Sequence, residues 1–189
     1  MSTVTNLTTK QLEKVQIDEG LIFIDYGLST ERKLAPTRGG GEFTVTQTMR
    51  DIEFDGRCGK TKGTQVIESE EAKLKVTTLG MSQDNLVLAV PGAVVGSNSD
   101  TSIKNPRCGV VPDTAYATNV TMFAKTLDGK YKKITIYNPM SEAGLTMKAA
   151  PKAEGELALE FDAHYPLSDL NGDLWKIEDA DEVTENSAS

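Results

Sequence analysis

The order of apolar and polar side chains predicts a protein built mainly of β-strands. The clearest segment is 156–163, in which apolar and acidic positions alternate. Its apolar positions are Leu157, Leu159, Phe161 and Ala163, and its acidic positions are Glu156, Glu160 and Asp162. A period of two places successive side chains on opposite faces of a strand. This segment therefore predicts a strand with one buried and one acidic face.

Several other segments carry a strand signal. They are 15–26, 43–50, 72–79, 120–126, 131–137 and 145–149. Between 120–126 and 131–137, the pair Asp128-Gly129 predicts a two-residue type I′ hairpin turn. At Ile52 and Phe54 the apolar side of the chain changes parity, which predicts a bulge or sharp bend near Asp51.

A single helix is predicted at 82–90. Ser82 is a good N-cap, and Asp84 lies near the positive end of the helix. An apolar face follows, and the pair Pro91-Gly92 ends the helix. The fold class predicted from these elements is mainly β, a β-sandwich or partial barrel of about eight strands with one flanking α-helix.

Residues 27–42 are predicted to form one long loop between strands. Such loops are uncommon in compact domains and are usually either functional or disordered. The loop combines basic side chains with residues that shape the backbone: Arg32, Lys33 and Arg38, then Pro36, Gly39, Gly40 and Gly41. We interpret it as a segment that changes shape to meet a partner.

The charge of the chain is unevenly distributed. The 189 residues carry 28 acidic and 20 basic side chains, and from residue 153 onward 11 acidic residues face a single lysine. Sequence-specific DNA binding is disfavoured because it needs clustered Lys and Arg. The predicted organisation is a flexible N-terminal arm at 1–14, one β domain at 15–178 and an acidic tail at 179–189. A polar start and short apolar runs predict neither a signal peptide nor a membrane span.

Motifs for chemistry are incomplete. Gly59-Lys60-Thr61 lacks the upstream glycine and the following helix of a phosphate-binding loop. The spacing of Asp169, Asn171 and Asp173 resembles a calcium loop but lacks its glycine and final glutamate, so it predicts an Asx turn.

Single residues also provide no candidate for catalysis or metal binding. His164 has no partner histidine and is interpreted as a surface or hydrogen-bonded residue. Cys58 and Cys108 lack zinc-site spacing and are interpreted as reduced packing thiols, and Trp175 as a core or interface anchor. We predict no catalytic, cofactor or metal site.

Three blocks resemble the tail tube proteins of long-tailed, siphovirus-type phages of Gram-positive bacteria. They are LAPTRGGGEFTVTQTMRDIEFDGRCGKTKG at 34–63, EEAKLKVTTLGMSQDNLVLAVPG at 70–92 and GELALEFDAHYPLSDLNGDLWKIE at 155–178. The resemblance implies a β-sandwich or barrel with one flanking helix, whose copies form hexameric rings. The rings stack head to tail into a hollow tube through which DNA is ejected into the host.

The resemblance also implies partners and roles. The loop 27–42 would contact a neighbouring ring, and tape-measure, distal tail and tail terminator proteins are expected partners. Double-stranded DNA would pass without sequence-specific binding. The protein is expected in the virion tail, after assembly in the host bacterial cytoplasm, with no membrane contact. Alternatives are the tube of a phage-derived particle or injection apparatus, and a β-sandwich module that binds host glycans.

A tube that conducts DNA must not bind phosphates tightly, so a bore lined by acidic and neutral groups is favoured. We interpret Glu156, Glu160 and Asp162 as a candidate bore face. An ordinary solvated outer face explains the same alternation equally well. Charge reversal at two of Arg32, Lys33 and Arg38 is predicted to shorten or abolish the tubes.

Overall fold

The computed structural model describes residues 13–16, 20–96, 100, 102–106, 108–147 and 154–185. Its strands are β1 Leu21–Ile24, β2 Arg32–Lys33, β3 Thr37–Asp51, β4 Gln65–Thr78, β5 Val94–Val95, β6 Ile103–Lys104, β7 Asn119–Lys125, β8 Tyr131–Tyr137, β9 Met140–Ser141, β10 Leu157–Asp162 and β11 Trp175–Ala180. Helix α1 is Gln83–Leu88, and a 3-10 turn covers Asp113–Ala115. The predicted mainly β fold with one short α-helix is confirmed.

Two larger antiparallel sheets pack face to face. One has the strand order β11-β8-β7-β1-β2, and the other has the order β3-β4-β10-β9. The core between them is apolar and draws on both sheets, including Ile22, Val120 and Ile136 from one and Leu74 and Leu159 from the other. Within the described ranges neither sheet closes into a barrel, and β5 pairs with β6 as a separate ribbon.

The alternation read from the sequence places the core of the second sheet. Leu157, Leu159 and Phe161 are buried, whereas Ala158 between them is exposed. Strand β10 pairs with β4 so that Phe161 lies opposite Leu74 and Leu159 opposite Val76. The register therefore aligns the apolar positions of both strands on the face that meets the other sheet.

The predicted helix is present but short. The Ser82 side chain accepts a hydrogen bond from the Asn85 backbone N–H at 3.4 Å, as an N-cap does, and Asp84 lies in the first turn. Ala89, the C-cap, is buried in the core. None of the helices in the described ranges has the length and apolar character needed to span a bilayer.

The prediction of one long loop at 27–42 is wrong in its conformation. Strand β2 pairs with β1 inside this range, and β3 begins at Thr37. The glycine triplet hides the strand because it has no side-chain periodicity. A register shift between Arg38 and Gly41 absorbs Gly39 and Gly40, both at positive φ, as a bulge within β3.

Other predicted boundaries also change. Of the segment 15–26, only Leu21–Ile24 forms a strand, and 17–19 lie outside the described residues. No strand forms at 145–147, and 148–149 are not among the described residues. Strand β11 extends two residues into the predicted tail 179–189. Most of the predicted N-terminal arm, 1–12, and the end of the tail, 186–189, also lie outside the described residues.

The hairpin at Asp128-Gly129 is present, but its turn is not type I′. The Thr126 N–H donates to the Lys130 carbonyl at 2.9 Å, which closes a three-residue connection, and Gly129 has positive φ whereas Asp128 does not. A type I′ turn needs positive φ at both central residues. Three-residue connections that end in a left-handed glycine are the next most common hairpin loops.

Candidate functional site: hairpin extension, polar face and acidic cleft

Strands β3 and β4 form a hairpin that is much longer than the rest of its sheet. They pair along Thr37–Asp51 and Gln65–Thr78, whereas β10 pairs only with the part of β4 from Lys73 to Thr78. Beyond this point the ribbon has two strands. We call residues 48–69 the hairpin extension. At about 3.3 Å per residue, the five residues 65–69 of β4 cover about 17 Å.

The hairpin extension has no buried residue. Asp51, Arg57 and Thr64 are half-buried, and every other residue from 48 to 69 is exposed. Five of the exposed side chains are large and apolar, namely Met49, Ile52, Phe54, Val66 and Ile67. Met49 lies directly opposite Ile67 across the ribbon. An isolated two-stranded ribbon is at best marginally stable in water, so these side chains form an uncovered surface.

The tip of the hairpin extension carries charges of both signs, with Glu53 and Asp55 in the same segment as Arg57, Lys60 and Lys62. The Arg57 guanidinium donates to the Ile52 carbonyl at 3.0 Å and lies 3.9 Å from an Asp51 carboxylate oxygen. Lys60 and Lys62 are exposed and form no ion pair with the described residues. The segment Gly59-Lys60-Thr61 therefore lies in the connection between β3 and β4, and no helix follows it.

The three basic residues predicted to contact a neighbouring ring have partners within the chain. Arg32 donates to the Asn85 side chain at 2.7 Å and to the Asp84 carbonyl at 3.2 Å. Burial lowers the pKa of Arg32, and the charges of Asp84 and Asp25 oppose that effect. The Lys33 ammonium lies 2.9 Å from a carboxylate oxygen of Glu185, near the end of the described chain.

Arg38 connects β3 with the segment before β10. Its guanidinium binds Glu154 at 2.8 Å and Glu156 at 2.6 Å. The hydrogen bond to Glu154 raises the pKa of Arg38, and the bond to Glu156 adds to it. Because its charge is compensated in this way, reversal of Arg38 would also remove contacts within its own chain.

The Arg38 contact predicts a titration effect. The hydrogen bond from Arg38 lowers the pKa of the Glu154 carboxyl below its ordinary value of 4.5. The contact therefore favours the folded chain above the unfolded pKa of Glu154 and is lost as pH falls through the lower folded pKa. We expect the Glu154 pKa to rise towards 4.5 in Arg38→Gln, measured by carboxyl-carbon NMR. The matched variant Arg50→Gln, whose partner is Glu68, should leave it unchanged. An unchanged Glu154 pKa in Arg38→Gln would contradict the contact.

The remaining residues of the predicted loop fix the entry into β3. The Pro36 carbonyl accepts hydrogen bonds from the Leu79 N–H and the Thr78 hydroxyl, both at 2.9 Å. At Gly41, a Cβ atom would lie 2.6 Å from the Met122 sulfur of the facing sheet. Gly41 therefore allows close approach of the two sheets, and the inter-ring role of the segment stays a prediction.

The outward face of the four-stranded sheet is mainly polar in its paired region. It brings Glu156, Glu160 and Asp162 onto the same side. Cross-strand partners accompany them, because Lys73 lies 2.8 Å from Asp162 and Lys75 lies 3.3 Å from Glu160. The hydrogen bond to Asp162 raises the pKa of Lys73. We call this surface the polar face. Its charged members are Arg38, Glu42, Glu71, Lys73, Lys75, Glu156, Glu160 and Asp162.

A cleft of about 290 Å³ opens beside the polar face, between β4 and the segments that flank β9 and β10. Four acidic side chains line it, namely Glu70, Glu71, Glu142 and Asp162, together with Lys73 and His164. Asp162 accepts from Lys73 through one oxygen, and its other oxygen is buried without a hydrogen-bond partner in the described structure. We call this site the acidic cleft.

Two side chains, Trp175 and His164, contact acidic residues that line the acidic cleft. The Trp175 indole N–H donates to Glu70 at 2.7 Å and its ring contacts Phe43 edge-on, which connects the two sheets. The Nδ1 atom of His164 lies 3.2 Å from the Asn138 carbonyl, and its Nε2 atom 3.6 Å from Glu142. The interpretations of Trp175 as an anchor and of His164 as a hydrogen-bonded residue are confirmed.

The structure also shows the environment of the remaining candidate motifs. The Asn171 N–H donates to the Asp169 carboxylate at 3.1 Å, which confirms the predicted Asx turn. Cys58 and Cys108 are both exposed, so their interpretation as packing thiols is wrong. Among the residues that the structure describes, no group of three His, Cys, Asp or Glu side chains is arranged to hold a metal ion.

Sequence reasoning missed the apolar surface of the hairpin extension. The parity change at Ile52 and Phe54 was its signal. It marks the point beyond which the alternating apolar side chains no longer face the core. The observed register shift lies between Thr48 and Met49, slightly before the predicted bulge at Asp51. From that point the apolar side chains belong to a ribbon with no second layer.

Comparison with known proteins gives little. No protein-family model matches the sequence, and a search of curated proteins returned no match. Among solved structures, the chain is similar to one from the virion of a native gene transfer agent particle. The TM-score is 0.41 at 10% sequence identity, and the match covers 78% of this chain and 92% of the other. A likeness of this strength carries no argument about function.

Proposed function

We propose that this chain is a structural virion protein that assembles into stacked hexameric rings and forms the hollow tail tube of a phage. The observation that carries the proposal is the hairpin extension. It is a ribbon of 22 residues, residues 48–69, with five exposed large apolar side chains and no buried residue. Such a surface is a liability in a monomer and becomes stable when another copy covers it.

The sheet edges support lateral assembly. Strand β3, 15 residues long, is an edge of its sheet, and β2, β9 and β11 are the other edges of the two sheets. A long unpaired edge invites pairing with another chain. In a ring, pairing between such edges can supply the lateral contacts between copies. These lateral contacts close around an axis, while head-to-tail contacts propagate along it.

The polar face supports a role as the bore. It carries three basic and five acidic side chains, and the basic ones are held by acidic neighbours. DNA phosphates bind to available Lys and Arg, and the affinity grows with each contact. A surface with compensated lysines and a small acidic excess would let DNA pass without sequence-specific binding. Glu156, Glu160 and Asp162 are the proposed bore residues.

The remaining parts of the proposal follow from the sequence resemblance. The expected partners are tape-measure, distal tail and tail terminator proteins, and the expected location is the virion tail after assembly in the bacterial cytoplasm. The tube of a related injection apparatus would use the same surfaces. A glycan-binding module would need clustered exposed aromatic rings, but the large exposed ones in the described ranges, Phe54 and Tyr165, lie on different elements.

Self-association of the purified chain tests the proposal. We expect a monomer at low concentration and, above a threshold, very large assemblies with few intermediates. The threshold arises because a subunit added to a complete ring contacts more neighbours than one added to a monomer. Sedimentation velocity over a range of concentrations and salt conditions measures it. A monomer in every condition would contradict the proposal.

A further inference from the structure

A cluster of four aromatic rings lies on the five-stranded sheet, on the face that points away from the other large sheet. Met122 of β7 belongs to the core between the sheets, so Phe123, the next residue along the strand, points to the opposite face. The ring of Phe123 contacts those of Phe23, Tyr26 and Tyr131, with centroid separations of 5.8, 5.0 and 6.3 Å. We call these four rings the aromatic face.

The aromatic face is covered within the chain. Phe23 and Phe123 are each only 1% exposed, although the other large sheet packs on the opposite side. The Lys33 ammonium lies 5.7 Å from the centroid of the Phe23 ring, so the Lys33 side chain is on this face as well. Contact between the rings alone would leave their outer surface in solvent. Part of the same chain must therefore lie over them.

The segment that follows β11 crosses this face, and we call its residues 181–185 the C-terminal strap. At its start, Asp181 accepts a hydrogen bond from the Lys130 ammonium at 2.6 Å, beside the turn between β7 and β8. At its end, a Glu185 carboxylate oxygen lies 2.9 Å from the Lys33 ammonium. Strand β11 is one edge of the sheet, and β2, which carries Lys33, is the opposite edge. The C-terminal strap therefore spans the sheet from edge to edge.

The strand register places the aromatic face under this path. Ala180, the last residue of β11, pairs with Tyr131, whereas Lys33 pairs with Phe23 near the other edge. Phe123 lies between these two points, on the central strand β7. Four spacings of about 4.8 Å separate the edge strands by about 19 Å, and five extended residues reach about 17 Å before side chains are added. The C-terminal strap is thus long enough for a diagonal crossing over these three rings, with little length for a detour.

The C-terminal strap is held weakly. Of its five residues only Val183 is half-buried, and the other four are exposed. The side chains of both ion pairs at its ends are also solvent-exposed, by 58% and 83% at Lys130–Asp181 and by 39% and 52% at Lys33–Glu185. Exposed ion pairs contribute little to stability. The strap can therefore leave the sheet without loss of the core.

We propose that the C-terminal strap is a releasable cover that keeps the aromatic face from contact with other copies of this chain and so holds back self-assembly. When the strap leaves, Phe23 and Phe123 form an exposed apolar surface of the kind that a second copy buries. Aromatic side chains are enriched where proteins contact one another. The inference rests on the proposed self-assembly and adds a step that controls it.

Two variants that open the C-terminal strap test the proposal. One chain ends at Ala180, and the other carries Val183→Glu, which places a charge at the half-buried position. At concentrations where the chain is monomeric, each should bind at least about threefold more of the dye ANS, which reports exposed apolar surface. The assembly threshold should fall at least about tenfold, the change that about 1.4 kcal/mol of added contact produces. The truncation removes three acidic residues and Val183→Glu adds one, so net charge cannot explain a lower threshold in both.

The matched control is Val110→Glu, because Val110 is 98% exposed and lies outside both the strap and the aromatic face. It should bind no more ANS than the wild-type chain. Circular dichroism checks that each variant is folded, and Val183→Glu decides the outcome if the truncated chain is not. Wild-type ANS binding or a higher assembly threshold in a folded strap variant would overturn this inference but leave the proposed function standing. A wild-type chain that never assembles would overturn both.

Discussion

Replacing Met49 and Ile67 with serine is expected to weaken assembly strongly while leaving the monomer folded. The two side chains oppose each other on the hairpin extension and are 54% and 55% exposed. Full burial of such a side chain is worth about 1.5–3 kcal/mol, so covering the exposed half of both contributes about 1.5–3 kcal/mol to each contact. Every 1.4 kcal/mol is a tenfold change in affinity, and the assembly threshold should rise about 10- to 100-fold.

The measurement is the threshold concentration by sedimentation or light scattering. The matched control replaces Val110 and Leu127, two exposed apolar residues outside the hairpin extension, with serine. Loss of assembly in the control alone, or a wild-type threshold in Met49→Ser with Ile67→Ser, would show that the hairpin extension is not the surface that copies cover. Neither variant should lower the monomer's unfolding free energy by more than about 1 kcal/mol, because the substituted positions are exposed.

Replacing Phe161 with alanine is expected to destabilise the folded chain by about 3–5 kcal/mol. Phe161 is 1% exposed, lies opposite Leu74 across the β10–β4 pairing and belongs to the core between the two sheets. Its removal leaves a cavity that rigid sheets on both sides fill poorly. Since typical domains are stable by only about 5–15 kcal/mol, much of the total would be lost.

Urea unfolding monitored by circular dichroism measures this change. Ala158→Ser on the same strand is the control, because Ala158 lies on the exposed side of β10. We expect the control to stay within about 0.5 kcal/mol of the wild-type value. A loss below about 1 kcal/mol in Phe161→Ala would contradict the placement of the core.

The sequence predicts those parts of the fold where one physical signal dominates. In β10 the alternation of Leu157, Leu159 and Phe161 with polar residues indicates both the strand and its buried face. In α1 the cap at Ser82 and the stop at Pro91-Gly92 bracket the helix. Both signals are local, so no knowledge of the rest of the chain is needed.

The range 27–42 shows why the remainder could not be predicted. Arg32 and Lys33 form a strand of two residues, which is too short for any periodicity. Gly39 and Gly40 look like a loop but form a bulge within a long strand. The partners of Arg38 lie 116 and 118 residues away. Pairing at this separation depends on how the sheets bring the chain together.

The candidate site divides in the same way. The acidic side of β10 was evident from the sequence, but its compensation by Lys73 and Lys75 depends on the register with β4. In the sequence, the only signal of the hairpin extension is the change in parity of the apolar positions at Ile52. That its apolar residues remain uncovered follows from where β10 stops pairing, which is a property of the whole sheet.

Electron microscopy of the purified chain, concentrated above its assembly threshold, tests the central claim most directly. The claim is that identical copies complete each other's surfaces around and along one axis. The account predicts rods of uniform width with a continuous central channel, built of stacked rings with sixfold symmetry. Closed dimers, or irregular aggregates without a channel, would contradict it.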